Sequence, residues 1–271
     1  MSDLELQQYL FDLQGYLVIE NILTPTEVVT LNQLIDQQHL PTPDKQIRFG
    51  RAAGGAPAGP GFLAWGQPFC NLLDHMEIMP MLRLRLGDCF RLDRIYGIQM
   101  CQGMPRGHLH ADYGATSPTS KSRPGEYHHF GVNEIHSGFT VVAWSLSDAG
   151  PESGGFCCIP GSHKSNYKLP PQIFDDPVQA SCVVIPSAPA GSAVLFSEAL
   201  THGTAAWYGE HQRRTLLYKY CVSQTAWSAR RVSPPDNVQL TPRQRILFSE
   251  PAEPYRHFPS LFEEVEDDSE K

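Results

Sequence analysis

The chain has 271 residues, a formal charge of −8 and an apolar share of 41%, which is length enough to bury a proper core. Its acidic balance, with a pI near 5.7, argues against nucleic acid or an anionic membrane as partner. No apolar run approaches the roughly 20 residues that cross a bilayer, the N-terminus has no basic signal region, and the seven scattered cysteines form no CxxC pair. They read as buried free thiols of a reducing cytoplasm, not as a disulfide or zinc framework.

In chain order, Leu6, Tyr9, Leu10 and Leu13 recur at helical spacing and predict an opening helix that stops at Gly15. "YLVIE" (16–20) reads as a short strand. "TPTE" (24–27) is a capping box with Thr24 at N-cap, Pro25 at N1 and Glu27 at N3. The helix behind it should turn Val28, Leu31, Leu34 and Ile35 to the core. "GRAAGGAPAGPG" (50–61) predicts an irregular loop, either a mobile cover over a site or a plain exposed linker. From about residue 92, short β-prone runs alternate with turns: "RIYGIQM" (94–100), "FTVVAWSL" (139–146), "GGFCCIP" (154–160), "CVVIP" (182–186), "SAVLFS" (192–197) and "RTLLYKYCV" (214–222). This spacing predicts an all-β sandwich or barrel core. The expected organisation is a single domain over 1–262, helical over about 1–40 and β over about 90–225, with an acidic tail at 263–271.

The stretch "GHLHADYG" (107–114) carries the first chemistry. On extended chain, residues two apart point to one side, so His110 and Asp112 can meet one metal ion. His108 shares that side, and parity alone does not choose between His108/His110 and His110/Asp112. Two histidines and one carboxylate on one face, with the other positions open, is the set used by non-haem Fe(II) oxygenases. That set needs a distant third ligand, a histidine. HxD alone is a weak signal. In "LFSEALTHGTAAWYGEHQRRTLLYKY", His202 follows a strand and begins a turn at Gly203, and Arg213 opens the next strand. An antiparallel return would bring Arg213 near His202, where its guanidinium can grip a carboxylate bidentately. Thr204 can donate a hydroxyl to the same group. An open metal with a carboxylate-gripping arginine points to a 2-oxo acid cosubstrate.

These motifs stand in an order that resembles the phytanoyl-CoA dioxygenase family of Fe(II)/2-oxoglutarate oxygenases. The opening "DLQGYLVIENILTPTEV", the HxD of "HLHADYG", the segment "GGFCCIPGSHK" (154–164) and the "HGT" with Arg213 behind it carry the resemblance, over roughly residues 8–222. The fold it implies is mainly β with flanking helices around a double-stranded β-helix (jelly roll, cupin-like) core. The implied catalytic and metal-binding residues are His110, Asp112 and His202, with Arg213 and Thr204 on 2-oxoglutarate. Gln99 is the expected further cosubstrate contact, with Tyr96 as alternative. The implied reaction is hydroxylation of an unactivated C–H bond of a small molecule, with O2 consumed and succinate and CO2 released. Because Asp112 is present, the halogenase variant of such sites is disfavoured.

Other readings compete. Desaturation, cyclisation or epimerisation would use the same oxidant. A zinc hydrolase built on His110, Asp112 and His202 leaves Arg213 and Thr204 unexplained, and a silent jelly-roll binding protein leaves the intact triad unexplained. His163 of "PGSHK" reads as a turn residue, and Arg214 as a surface charge on the opposite strand face. His128, His129 and His136 read as pocket lining or solvated loop, and Trp144 and Phe139 as core. A free metabolite is favoured over a CoA thioester, unless Arg83, Arg85, Arg91, Arg94 and Arg106 cluster into a phosphate site. The expected location is cytoplasmic, with no nucleic-acid or membrane partner.

Overall fold

The structure is a computed structural model that describes residues 3–41, 47–112, 128–131, 134–165 and 167–263. The tail beyond 263, the end of the HxD stretch beyond Asp112 and both ends of "EYHHFGVN" (126–127 and 132–133) lie outside the described residues. The elements are α1 (Asp3–Gln14), β1 (Tyr16–Ile19), α2 (Pro25–Asp36), β2 (Ile47–Ala52), α3 (Gln67–Asn71), α4 (Met79–Leu86), β3 (Phe90–Met100), β4 (His129–Gly131), β5 (Glu134–His136), β6 (Phe139–Ser145), β7 (Gly155–Cys158), α5 (Pro171–Asp175), β8 (Ala193–Ser197), β9 (His202–Ala205), β10 (Arg213–Val222) and α6 (Pro242–Ile246).

Six strands form one antiparallel sheet in the order β1-β8-β6-β10-β3-β2, and β7 pairs with β9 in a second, smaller one. Strand alternation gives the large sheet two buried faces. Trp144, Leu195, Leu216, Tyr218 and Tyr220 face the helices, where they meet Phe11, Leu31, Ile35, Phe62 and Phe69. Ile98, Val141, Val194, Phe196 and Leu217 face inward, where Cys158 of β7 joins them. This is why the strands read as unbroken apolar runs rather than as alternating ones. Two tyrosines tie the helical layer to the sheet: Tyr218 donates to the Phe69 carbonyl at 2.7 Å and Tyr220 to the Leu73 carbonyl at 2.8 Å.

The capping box of α2 forms as read, with Glu27 N–H donating to Thr24 Oγ1 and Thr24 N–H to Glu27 Oε2, and Val28, Leu31 and Ile35 are buried. Helix α1 exists but turns a different face inward. Phe11 is buried, whereas Leu6, Tyr9 and Leu13 are exposed. Apolar residues lie nearly all round this helix, so its spacing did not single out one face. The glycine-rich run is neither a loose cover nor an exposed linker. Its start is the end of β2, and Ala52, Ala53 and Ala56 are buried. "CVVIP" is not a strand either: only Val184 pairs, with Cys158, and Pro186 has no N–H to carry a ladder on.

Gly154, just before β7, has φ +95°, and a Cβ there would lie 1.9 Å from the Ala206 carbonyl oxygen. Gly154→Ala is expected to cost about 2 kcal/mol or more. The exposed cap change Thr24→Ala should cost about 1 kcal/mol. Denaturant midpoints at unchanged m-value check this; a Gly154→Ala midpoint at or above that of Thr24→Ala would contradict it.

Candidate metal and cosubstrate site

The segment before Asp112 runs antiparallel along β9. Gly107 N–H donates to the Thr204 carbonyl, His110 N–H to the His202 carbonyl, and His202 N–H back to His110, each at 2.8 Å. This register makes His110 and His202 backbone partners and sets their ring centroids 4.6 Å apart. Asp112, two residues on, completes the group: ligand atoms of His110, Asp112 and His202 all lie within 4.8 Å of one another. His108 does not belong to it. Its ring stacks on Phe174 with centroids 5.4 Å apart.

Each imidazole is oriented by a backbone carbonyl. His110 Nδ1 lies 3.1 Å from the His108 carbonyl and His202 Nδ1 lies 2.9 Å from the Leu200 carbonyl. A carbonyl only accepts, so each Nδ1 carries a proton and each Nε2 is the ring atom left to face a metal. Burial, and then the adjacent His110, pushes His202 down to about 3, so this ring is neutral at physiological pH. Burial also pushes the Asp112 carboxyl up. The Lys219 ammonium and the His202 and His110 rings outweigh it and hold the group well below its usual range. Lys219 Nζ sits 2.5 Å from Asp112 Oδ2. Two imidazoles and an ionised carboxylate form a donor set that fits a divalent first-row metal with open positions.

His110 and His202 line a cavity of about 290 Å³ together with Thr204, Tyr96, Arg48 and Arg213. Its other walls include Ile98, Phe156, Phe196 and Leu217, and no Asp or Glu lines it among the described residues. Arg213 is 4% exposed. Among the described residues its Nε has no hydrogen-bond partner, and one of its amino groups meets only the Met100 sulfur at 3.5 Å. Burial pulls it down to about 10, with Cys157 opposing, so it remains a cation. It reaches the cavity by a route other than the one expected. The strand β9, which begins at His202 where a turn was anticipated, pairs with β7, and β10 lies between β6 and β3. Arg213 and His202 therefore meet across the space between two facing sheets, not along a hairpin.

The segment "GGFCCIPGSHK" supplies the frame. A Cβ on Gly155 would stand 3.1 Å from Arg213 Nε, so the absence of a side chain there gives the guanidinium its berth. Ser162 Oγ accepts from Thr201 N–H at 2.8 Å, next to His202. His163 Nε2 meets the Asp12 carbonyl at 2.9 Å and Lys164 pairs with Asp12 at 2.8 Å, which docks the end of α1. Gln99 is placed off the cavity: alternation on β3 turns Tyr96 and Ile98 to it and Gln99 away. Arg214 does leave the opposite face of β10, but it is no surface charge. It pairs with Asp36 of α2 at 2.6 Å and donates to Asn32. His128 is buried 3.9 Å from Glu198, His129 and His136 are exposed partners in the β4–β5 hairpin, and none of the three lines the cavity. Sequence reasoning missed Lys219, which no motif marks; its one signal is a charge inside the apolar run "LLYKYCV".

The sequence matches the phytanoyl-CoA dioxygenase (PhyH) family over residues 11–215. No curated protein matches it. Among solved structures, the chain is similar to HygX from Streptomyces hygroscopicus with nickel and 2-oxoglutarate bound, at a TM-score of 0.67 and 21% identity over 86% of this chain and 96% of that one. HygX with iron bound aligns at a TM-score of 0.65, with the same identity and coverage. SnoN, a non-haem alpha-ketoglutarate-dependent epimerase from nogalamycin biosynthesis, aligns at 0.55 and 17% over 82% and 84%. At these identities the likeness carries the fold, a cupin-like jelly roll. The family match, which spans most of the length, carries the rest: the chain belongs to the phytanoyl-CoA dioxygenase family of Fe(II)- and 2-oxoglutarate-dependent oxygenases.

Proposed function

We propose that this oxygenase hydroxylates an unactivated C–H bond of a small free metabolite, with His110, Asp112 and His202 holding iron and Arg213 holding 2-oxoglutarate. The observation that carries this reading is Arg213, a buried guanidinium with no carboxylate partner among the described residues, opening on the cavity that His110 and His202 line. A buried charge is tolerated when something pairs with it, and the distal carboxylate of 2-oxoglutarate is such a partner. A zinc hydrolase leaves this cation without a task.

The bound iron would supply the O2-derived oxidant, formed as 2-oxoglutarate is split to succinate and CO2. The protein's own groups bind, orient and exclude water. The two Nε2 atoms and a carboxylate oxygen present one face to the metal. Arg213 fixes the far end of the cosubstrate, and Thr204 of β9 lines the same cavity. Tyr96 takes the wall position expected of Gln99. Ile98, Phe156, Phe196 and Leu217 keep the space apolar, and no side chain is required as acid or base.

The arginines that a CoA thioester would need are engaged within the protein. Arg83 pairs with Asp88, Arg91 and Arg94 with Asp93, Arg85 donates to Ser137 and Arg106 to the Asp175 carbonyl. This supports a free metabolite. HygX holds hygromycin B, also a small molecule. The epimerase SnoN supports the alternative, in which the same oxidant serves epimerisation, desaturation or cyclisation and substrate pose selects the outcome. The seven unpaired cysteines support a reducing, cytoplasmic setting, although Cys182 is exposed rather than buried, and among the described residues no helix is long and apolar enough to cross a membrane.

Two outcomes are expected. In metal analysis, His202→Ala loses nearly all its iron while His108→Ala keeps it; the reverse would mean that the wrong histidines were chosen. In an anaerobic titration of the Fe(II) charge-transfer absorbance, Arg213→Ala should hold iron but bind 2-oxoglutarate hundreds-fold more weakly or worse. That corresponds to leaving a buried carboxylate unpaired, a loss of roughly 3–5 kcal/mol. Arg214→Ala, whose partners lie on α2, should keep native affinity. Equal affinities for native protein and Arg213→Ala would revive the hydrolase.

A further inference from the structure

We propose that Lys219 is a positioning residue that restricts Asp112 to one metal-facing oxygen and so keeps an iron position open for O2. This inference rests on the iron and 2-oxoglutarate reading above. Lys219 lies on β10, and alternation sends it inward with Arg213, Thr215 and Leu217. Its side chain is 4% exposed, and among the described residues Asp112 is the acid it pairs with. The rings of Phe139 and Tyr96 lie 5.2 and 5.9 Å from Nζ.

A lysine is an expensive residue to bury. An ion pair of this kind adds little to stability compared with apolar side chains of the same volume, so fold stability does not account for it. Its geometry supplies another role. A carboxylate can offer a divalent metal one oxygen or two. Here Oδ2 accepts a short, charge-assisted hydrogen bond from the ammonium, and the positive charge repels a metal ion from that side. The metal is left with Oδ1.

The consequence follows from counting positions. A bound metal would take two imidazoles and one carboxylate oxygen from the protein. With two oxygens of 2-oxoglutarate it would keep a single place open. A second oxygen from Asp112 would compete for it. Lys219 therefore acts through Asp112 and need not touch substrate or exchange a proton.

The test uses full-length protein loaded anaerobically with Fe(II) and 2-oxoglutarate. The charge-transfer absorbance first reports whether both are bound. Nitric oxide is then titrated as a probe of the remaining position and followed by electron paramagnetic resonance. Native protein, Lys219→Arg and Lys219→Gln all retain a donor to Oδ2 and should take up nitric oxide alike. Lys219→Met should keep the absorbance band but bind nitric oxide about 10–100-fold more weakly. Native-like uptake by Lys219→Met would overturn the proposal, because Lys219 would then only fill the site when metal is absent. Lys219→Gln as weak as Lys219→Met would also overturn it. If Lys219→Met fails to fold or to hold iron, Lys219→Gln decides: native-like uptake upholds the proposal and weakened uptake sinks it. A missing absorbance band in the native protein would instead remove the iron and 2-oxoglutarate reading.

Discussion

The His110 N–H donates to the His202 carbonyl, and the His202 N–H donates back, each across 2.8 Å. The rest of the site depends on this reciprocal pair. It joins a segment without regular structure to β9, and it sets two imidazoles side by side although they stand far apart in the sequence. Because residues two apart on extended chain share a side, it also delivers Asp112 to the same point. The carbonyls of His108 and Leu200 then fix both tautomers. A one-residue slip in this pairing would turn the ligands away from one another.

Around this pair the inner space of the jelly roll is largely apolar, and two buried cations stand out in it. Arg213 lacks a carboxylate among the described residues and lies on the cavity wall; Lys219 is bound to Asp112. In a low-dielectric interior both are costly unless something compensates them. Their placement divides the labour, with one cation kept for a ligand's carboxylate and the other spent on the protein's own. The chain's overall charge of −8 makes the absence of acidic lining at the cavity, among the described residues, a local feature rather than a reflection of composition.

Much of this was legible in the residues. The capping box at Thr24 follows from local chemistry alone, and α6 repeats the pattern with Thr241 and Gln244, although it was not read. The apolar runs marked five of the six strands of the large sheet, because burial on both faces leaves a strong signal; the edge strand β2, "IRFGRA", carries no such run and was missed. The HxD pair, His202, Arg213 and Thr204 were named from spacing and resemblance, and the structure gathers all of them at one cavity or its metal group. What was not legible depends on pairing in space. Sequence neighbours suggested that the His202 and Arg213 strands form a hairpin, whereas they belong to different sheets. Strand alternation could not be phased without the sheet, so Gln99 was preferred to Tyr96 and Arg214 was left on the surface. Lys219 sits in no motif, and its meaning appears only when β10 is laid beside Asp112.

A crystal structure with nickel and 2-oxoglutarate would test the central claim most directly. The account predicts the metal on the Nε2 atoms of His110 and His202 and one oxygen of Asp112, with the distal carboxylate of 2-oxoglutarate paired to Arg213. Metal bound through His108, or a distal carboxylate directed away from Arg213 toward Arg48 at the cavity wall, would contradict it.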